Sequence, residues 1–251
     1  AGLIGAARLL VACRDEGSLA GTVRLLFQPS EETVDDEGKS GATRMLEDGA
    51  LDGVDAVVGL HVGGPLPSGR VFVAPGAIMG GGEEIVVEVR GRAAHAALPQ
   101  DGVDAIVLAA QGVVAAQAAV SRCIPPTEPG LVTFGQIHGG QAANVIADRV
   151  VLRGTLRYFE PEVRDALRAA VRGAFEGLRA QGAEVDVVFR PGYPPVVNDP
   201  AATAVVSEAL AAHIGRDRVL PMSPVLLAED FAFLAQRVPG GFLWLGAALD
   251  D

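Results

Sequence analysis

The chain has 251 residues, 49% of them hydrophobic and only 5% aromatic, enough apolar surface for a packed core, which excludes a disordered tail. Thirty-one acidic residues against 20 basic ones give a net charge of −11, which excludes the basic footprint of a nucleic-acid binder. The only cysteines, Cys13 and Cys123, sit in unrelated contexts; a disulfide framework is excluded and a reducing cytoplasm is the expected compartment.

In chain order, a helix is predicted over Gly2–Ala12, with a stripe of Leu3, Ala6, Ala7, Leu9 and Leu10; Cys13 beside it reads as inert packing. No capping residue precedes that stripe, and the apolar strand Gly241–Gly246 comes five residues before the last. The expectation is a polypeptide from which both flanks have been removed. A strand over Thr22–Gln28, a helix over Ser40–Glu47 closed by Gly49 in the left-handed conformation, and a strand over Asp55–His61 follow. Such alternation predicts a parallel sheet covered by helices. Gly63–Gly82, rich in Gly and Pro, reads as loop and turn.

From Glu83 the pattern changes to strand Glu83–Arg92, helix Val103–Ser121, strands Leu131–His138 and Arg149–Phe159, helix Pro161–Gln181 and strand Glu184–Arg190. That order is the split βαβ, or ferredoxin-like, arrangement. Ala105–Val120 is nearly all apolar, but Gln111 and Gln117 interrupt it and it is short for a bilayer, so a core helix is expected and no membrane span. Tyr193-Pro194-Pro195 breaks the chain, and Asp199-Pro200 opens a helix through Ala212 that Gly215 closes. The predicted fold is α/β: a discontinuous domain from residues 1–79 and 192–251, with a four-stranded α+β domain, residues 80–191, inserted between its halves.

Glu31 and Glu32 follow the first strand in Gln28-Pro29-Ser30-Glu31-Glu32, and His61 ends the second. Active sites of open α/β sheets lie at the carboxyl ends of strands. There, two carboxylates can divide metal ligation from proton transfer while an imidazole adds a ligand. On charge alone the acidic pair could equally be a solvated loop running into Asp35-Asp36-Glu37. His95 sits among alanines, which lets something approach closely; Asn144 lies in a Gly-rich loop and could be only a turn residue. Arg157 interrupts an apolar strand, where a guanidinium calls for a partner such as a substrate carboxylate. Glu229-Asp230 reads first as the acidic start of a helix. Gly80-Gly81-Gly82 lacks the lysine of a phosphate-binding loop and is rejected as one.

Taken together, the segments QPSEE, GLHV, AAHAALP, GG-x3-NVIAD, GTLR and AEDF, in that order, resemble the metal-dependent amidohydrolase and exopeptidase family. That family includes hippurate hydrolases, N-acyl-amino-acid and indole-acetyl-amino-acid hydrolases, aminoacylases and carboxypeptidase G-type enzymes. The resemblance implies a zinc-exopeptidase-like α/β catalytic domain with a ferredoxin-like lid that also dimerises. It implies Glu31 as the general base on a metal-bound water, Glu32 and His61 as metal ligands, and His95 as oxyanion stabiliser, often across a dimer. Asn144 and Arg157 would hold the carboxylate or amide of a small N-acyl amino acid. Two divalent ions (zinc, manganese, cobalt or nickel) are expected in an intact member. Here the Cys-Gly-His-Asp segment that usually precedes the first helix is missing, as is the His that follows the Phe-Leu-Trp-Leu-Gly strand, and Ala147 replaces a usual Pro. The metal site of this chain is therefore expected to be incomplete. A competing reading is an inactive fragment, or a non-catalytic carboxylate-binding, dimerising protein on the same scaffold.

Overall fold

The computed structural model describes residues 2–248. Helix α1 (Gly2–Asp15) is followed by a long irregular segment and by α2 (Gly41–Glu47), where the Ser40 side chain accepts from Thr43 N as N-cap. Gly49, at φ 76°, ends α2 in the left-handed region. Strands β1 (Val57–Pro67), β2 (Val71–Phe72), β3 (Gly76–Met79) and β4 (Gly81–Arg90) lead to α3 (Ala105–Cys123), capped by Asp104. Then come β5 (Gly130–Gly139), β6 (Arg149–Tyr158), α4 (Pro161–Glu176) with a 3-10 extension over Gly177–Gln181, and β7 (Glu184–Pro191). The chain returns through β8 (Val196–Asn198), α5 (Pro200–Ile214), β9 (Val219–Leu220), α6 (Phe231–Ala235) and β10 (Gly240–Ala248).

The outer parts of the chain build a mixed sheet in the order β1-β10-β2-β9, with β1 and β10 parallel, and a small antiparallel pair β3-β8. Its core gathers Ile78, Met79, Phe231, Phe242 and Trp244. The middle builds an antiparallel sheet, β5-β6-β4-β7, with α3 and α4 on one face. Strands β4 and β6 alternate strictly: Ile85, Val87, Val89, Val150, Leu152 and Leu156 point at the helices and are fully buried. The apolar helix α3 turns Leu108, Ala109, Gly112 and Ala116 into that core and packs on α4.

Three expectations are corrected. Residues 22–28 form no strand: a strand needs a neighbour's N–H and C=O groups, and here the segment is held by side chains, with Arg24 donating to Gly49 O and Ala50 O and Leu26 packed against the core. Gly63–Gly82 is not loop throughout. It carries the end of β1 and all of β2 and β3; Pro65 and Pro67 fall where the register of β1 against β10 shifts, on a strand that among the described residues pairs with β10 alone. Cys13 is exposed rather than packed, since no residue of α1 is buried.

Candidate active site

A cavity of about 870 Å³ opens between the two sheets. Glu31, Glu32 and His61 line one side of it, and Gly82, Glu84, Thr155 and Arg157 line it from the antiparallel sheet β5-β6-β4-β7. His61 stands on β1 opposite Trp244 of β10, with ring centroids 4.6 Å apart.

The acidic groups converge. Carboxylate oxygens of Glu31, Glu229 and Asp230 lie within 4.8 Å of one another. Asp230 is fully buried and accepts from Gln28 Nε2 (2.7 and 2.8 Å) and from Ala42 N (3.0 Å), so the Gln-Pro-Ser-Glu-Glu segment, the start of α2 and the entry to α6 are knotted together through one carboxylate. Glu229, also buried, places Oε2 3.3 Å from His61 Nδ1. Burial, with the charge of Glu31 beside it, pushes the Glu229 pKa up to about 8; burial and Asp230 raise Glu31 as well. The Nδ1 contact leaves His61 Nε2 without a protein partner among the described residues, the arrangement of an imidazole ligand oriented by a carboxylate behind it. Crowded buried acids whose charged forms repel, next to such an imidazole, make a donor set of hard and borderline character that fits a divalent cation.

The backbone at the acidic pair is held under strain. Ser30 has φ 48°, the one positive value among described residues other than glycine. Gly41 is obligatory beside it, because a Cβ there would fall 1.6 Å from Pro29 O. On the other side Tyr193 donates its hydroxyl to Glu31 O at 2.6 Å.

Arg157 is reached through a pattern of charges on the solvent face of the four-stranded sheet. Arg149 of β6 stands opposite Arg90 but bonds Glu88, two positions further back along β4, at 2.9 and 3.2 Å. Arg153 stands opposite Val86 and bonds Glu84 at 3.0 Å in the same diagonal sense. Arg157 is the third rung: it stands opposite Gly82, and the position continuing the diagonal is Gly80. No carboxylate meets its guanidinium among the described residues, and burial alone lowers its pKa. The guanidinium stays charged, half-buried and facing the cavity.

The predicted residues do not all meet here. Glu32 lies in the cavity wall, exposed and outside the acid cluster, whereas Glu31 is in it. His95 and Asn144 meet each other instead: His95 bridges to Val145, and Ala96 N donates to Asn144 O at 3.0 Å. Both are exposed, at the Arg90 end of β4, while Arg157 is at the Gly82 end. Eight residues of strand separate the ends by about 27 Å. Within one chain, then, Asn144 does not stand beside Arg157; the linear motif order concealed that the two fall at opposite ends of antiparallel strands. Sequence reasoning assigned no role to Glu229, Asp230, Gln28 or Tyr193. Only the adjacency of two acids before a Phe marked the first pair, and a helix start accounted for it equally well.

A sequence profile of peptidase family M20/M25/M40 matches residues 1–251. The chain is 41% identical over 247 residues to an N-acetyl-L-cysteine deacetylase of Bacillus subtilis (strain 168), covering 98% of this chain and 57% of that protein. It is 35% identical to the IAA-amino acid hydrolase ILR1-like 4 of Arabidopsis thaliana, covering 97% of this chain and 55% of that one. Among solved structures it superposes with a TM-score of 0.79 and 32% identity on the Bacillus subtilis YXEP protein, a dinuclear metal-binding peptidase of the M20 family, covering 99% of this chain and 62% of that chain. The chain thus spans somewhat over half the length of these relatives.

Proposed function

This chain belongs to peptidase family M20/M25/M40, and from that premise we propose that the protein it represents hydrolyses the amide bond of N-acyl amino acids. The observation that carries this is Arg157, the one rung of the Arg–Glu ladder left without a carboxylate among the described residues, opening onto the cavity that holds Glu31 and His61. The names of the deacetylase and of the IAA-amino acid hydrolase point to the same substrate class.

In this reading the substrate carboxylate supplies the missing rung, and its charge-assisted pair with Arg157 turns the amide toward the acid cluster. Glu31 takes a proton from the attacking water and passes it to the leaving nitrogen, a role suited to a carboxylate made more basic by burial and by Asp230 beside it. Glu32 and His61, which line the cavity beside the acid cluster, would hold a divalent cation, with Glu229 orienting His61. Such a cation, when bound, supplies Lewis acidity toward the scissile carbonyl. His95 and Asn144, far from Glu31 in the same chain, act in this reading on the site of a second copy, docked through the four-stranded sheet or its helices, which serves as lid and dimerisation unit.

Arg157→Ala, assayed in the full-length gene product, should cost about 2–4 kcal/mol in kcat/KM on N-acyl amino acids, the scale of a charge-assisted pair lost from a desolvated site. The loss should be much smaller on the matching carboxamides. Equal losses on both would make Arg157 structural and remove the support for this substrate class.

A further inference from the structure

The two backbone segments that connect the sheets run side by side. Gly82 N donates to Tyr193 O at 2.9 Å, and Gly192 N returns a bond to Gly82 O at 3.0 Å. Tyr193 thus has its backbone fixed to the segment that faces Arg157, while its side chain reaches across to the opposite wall of the cavity. There its ring meets Phe233 edge-on, with centroids 5.9 Å apart, and its hydroxyl bonds the carbonyl of Glu31. That carbonyl belongs to the peptide joining Glu31 to Glu32, directly after the strained Ser30. A strained turn keeps its shape only when its surroundings over-determine it; on one side the close approach of Gly41 does this, and on the other Tyr193 does. Burial and the neighbouring Asp230 and Glu31 push the phenol pKa up to about 12, so it remains a donor throughout the neutral range.

We propose that Tyr193 is a positioning residue: by holding the Glu31 carbonyl it sets the direction in which both carboxylates leave the backbone, and it links their placement to the crossover that presents Arg157. This rests on the amidohydrolase reading for its catalytic consequence, but the contact itself does not.

Tyr193→Phe deletes one hydroxyl and keeps the ring against Phe233. In the full-length gene product it should lower kcat on an N-acyl amino acid about 10-fold, the scale of one lost hydrogen bond, with KM changed less than about 2-fold because the Arg157 grip is untouched. The carbonyl carbon resonance of Glu31 should move upfield, and the affinity for manganese or zinc ions, read by calorimetry, should fall. An unmoved resonance overturns the proposal whatever the kinetics. A moved resonance with both kcat and cation affinity unchanged overturns it too, since the contact would then position nothing. If the parent protein hydrolyses no N-acyl amino acid, the functional assignment fails, and resonance and cation affinity together still decide the role of Tyr193.

Discussion

Buried Glu229 and half-buried Glu31 owe their chemistry to being pressed together with little water between them. Glu31→Gln keeps shape and volume but cannot accept a proton; in the full-length gene product it should bind divalent cation as the parent does and lose at least about 100-fold in kcat. A variant retaining most of its turnover would remove Glu31 from the role of base. The same crowding makes stability depend on pH. The folded-state pKa of Glu229, about 8 against an ordinary 4.5, is raised, so folding favours its protonated form. The stabilisation is complete below about pH 4.5 and is lost as the pH rises through 8. Freed of metal, the chain should therefore melt at higher temperature at pH 5 than at pH 8, and Glu229→Gln should flatten the difference; a slope of opposite sign would contradict the crowding of acids described here. Glu31, His61 and Arg157, which line one cavity, stood out in the sequence because Glu31 follows an apolar run while His61 and Arg157 interrupt apolar strands. Glu229, Asp230 and Tyr193 did not, because an acidic pair before a helix and a Tyr before two prolines have ordinary local explanations. Their meaning appears only when residues some 160 to 200 positions apart touch.

At the level of elements, α3 and α4 approach closely at Gly112, where an added Cβ would lie 2.4 Å from the ring of Phe175, itself fully buried. Gly112→Ala should destabilise the protein by about 1–3 kcal/mol through overpacking, although alanine favours the helix by about 1 kcal/mol. Gly173 of α4 has no atom within 4 Å of the corresponding position, so Gly173→Ala should stabilise by about 0.5–1 kcal/mol. Denaturant midpoints for the two variants should shift in opposite directions. The elements of the four-stranded unit could be read from residues alone because alternating Ile85, Val87 and Val89 and the proline that opens α4 at Pro161 are local signals. Residues 22–28 misled because β-propensity states only that a segment suits a sheet. Whether a partner strand lies alongside is a tertiary fact. The passage after His61 misled in the other direction: Gly246 is required where its Cβ would fall 1.8 Å from Pro67 O, so the prolines ending β1 mark close strand packing, and the turn is confined to the stretch around Ser68-Gly69.

For the whole molecule, the separation of His95 and Asn144 from Glu31 makes a prediction about assembly. If a second copy completes the site, mixing His95→Ala with Glu31→Gln subunits of the full-length protein should restore activity that neither has alone. A mixture as inactive as its parts would place each site within a single chain. The paired crossover has a consequence for ancestry as well as for shape. Glu83 is registered against Pro191, and Gly82 is bonded to Gly192 and Tyr193, so the four-stranded unit leaves and re-enters the remaining chain at almost the same point. Bridging a gap whose ends already touch costs little chain entropy. A unit attached in this way is portable: a lineage could acquire it, lose it or exchange it for another without rerouting the host chain, and the cavity wall bearing Arg157 would travel with it.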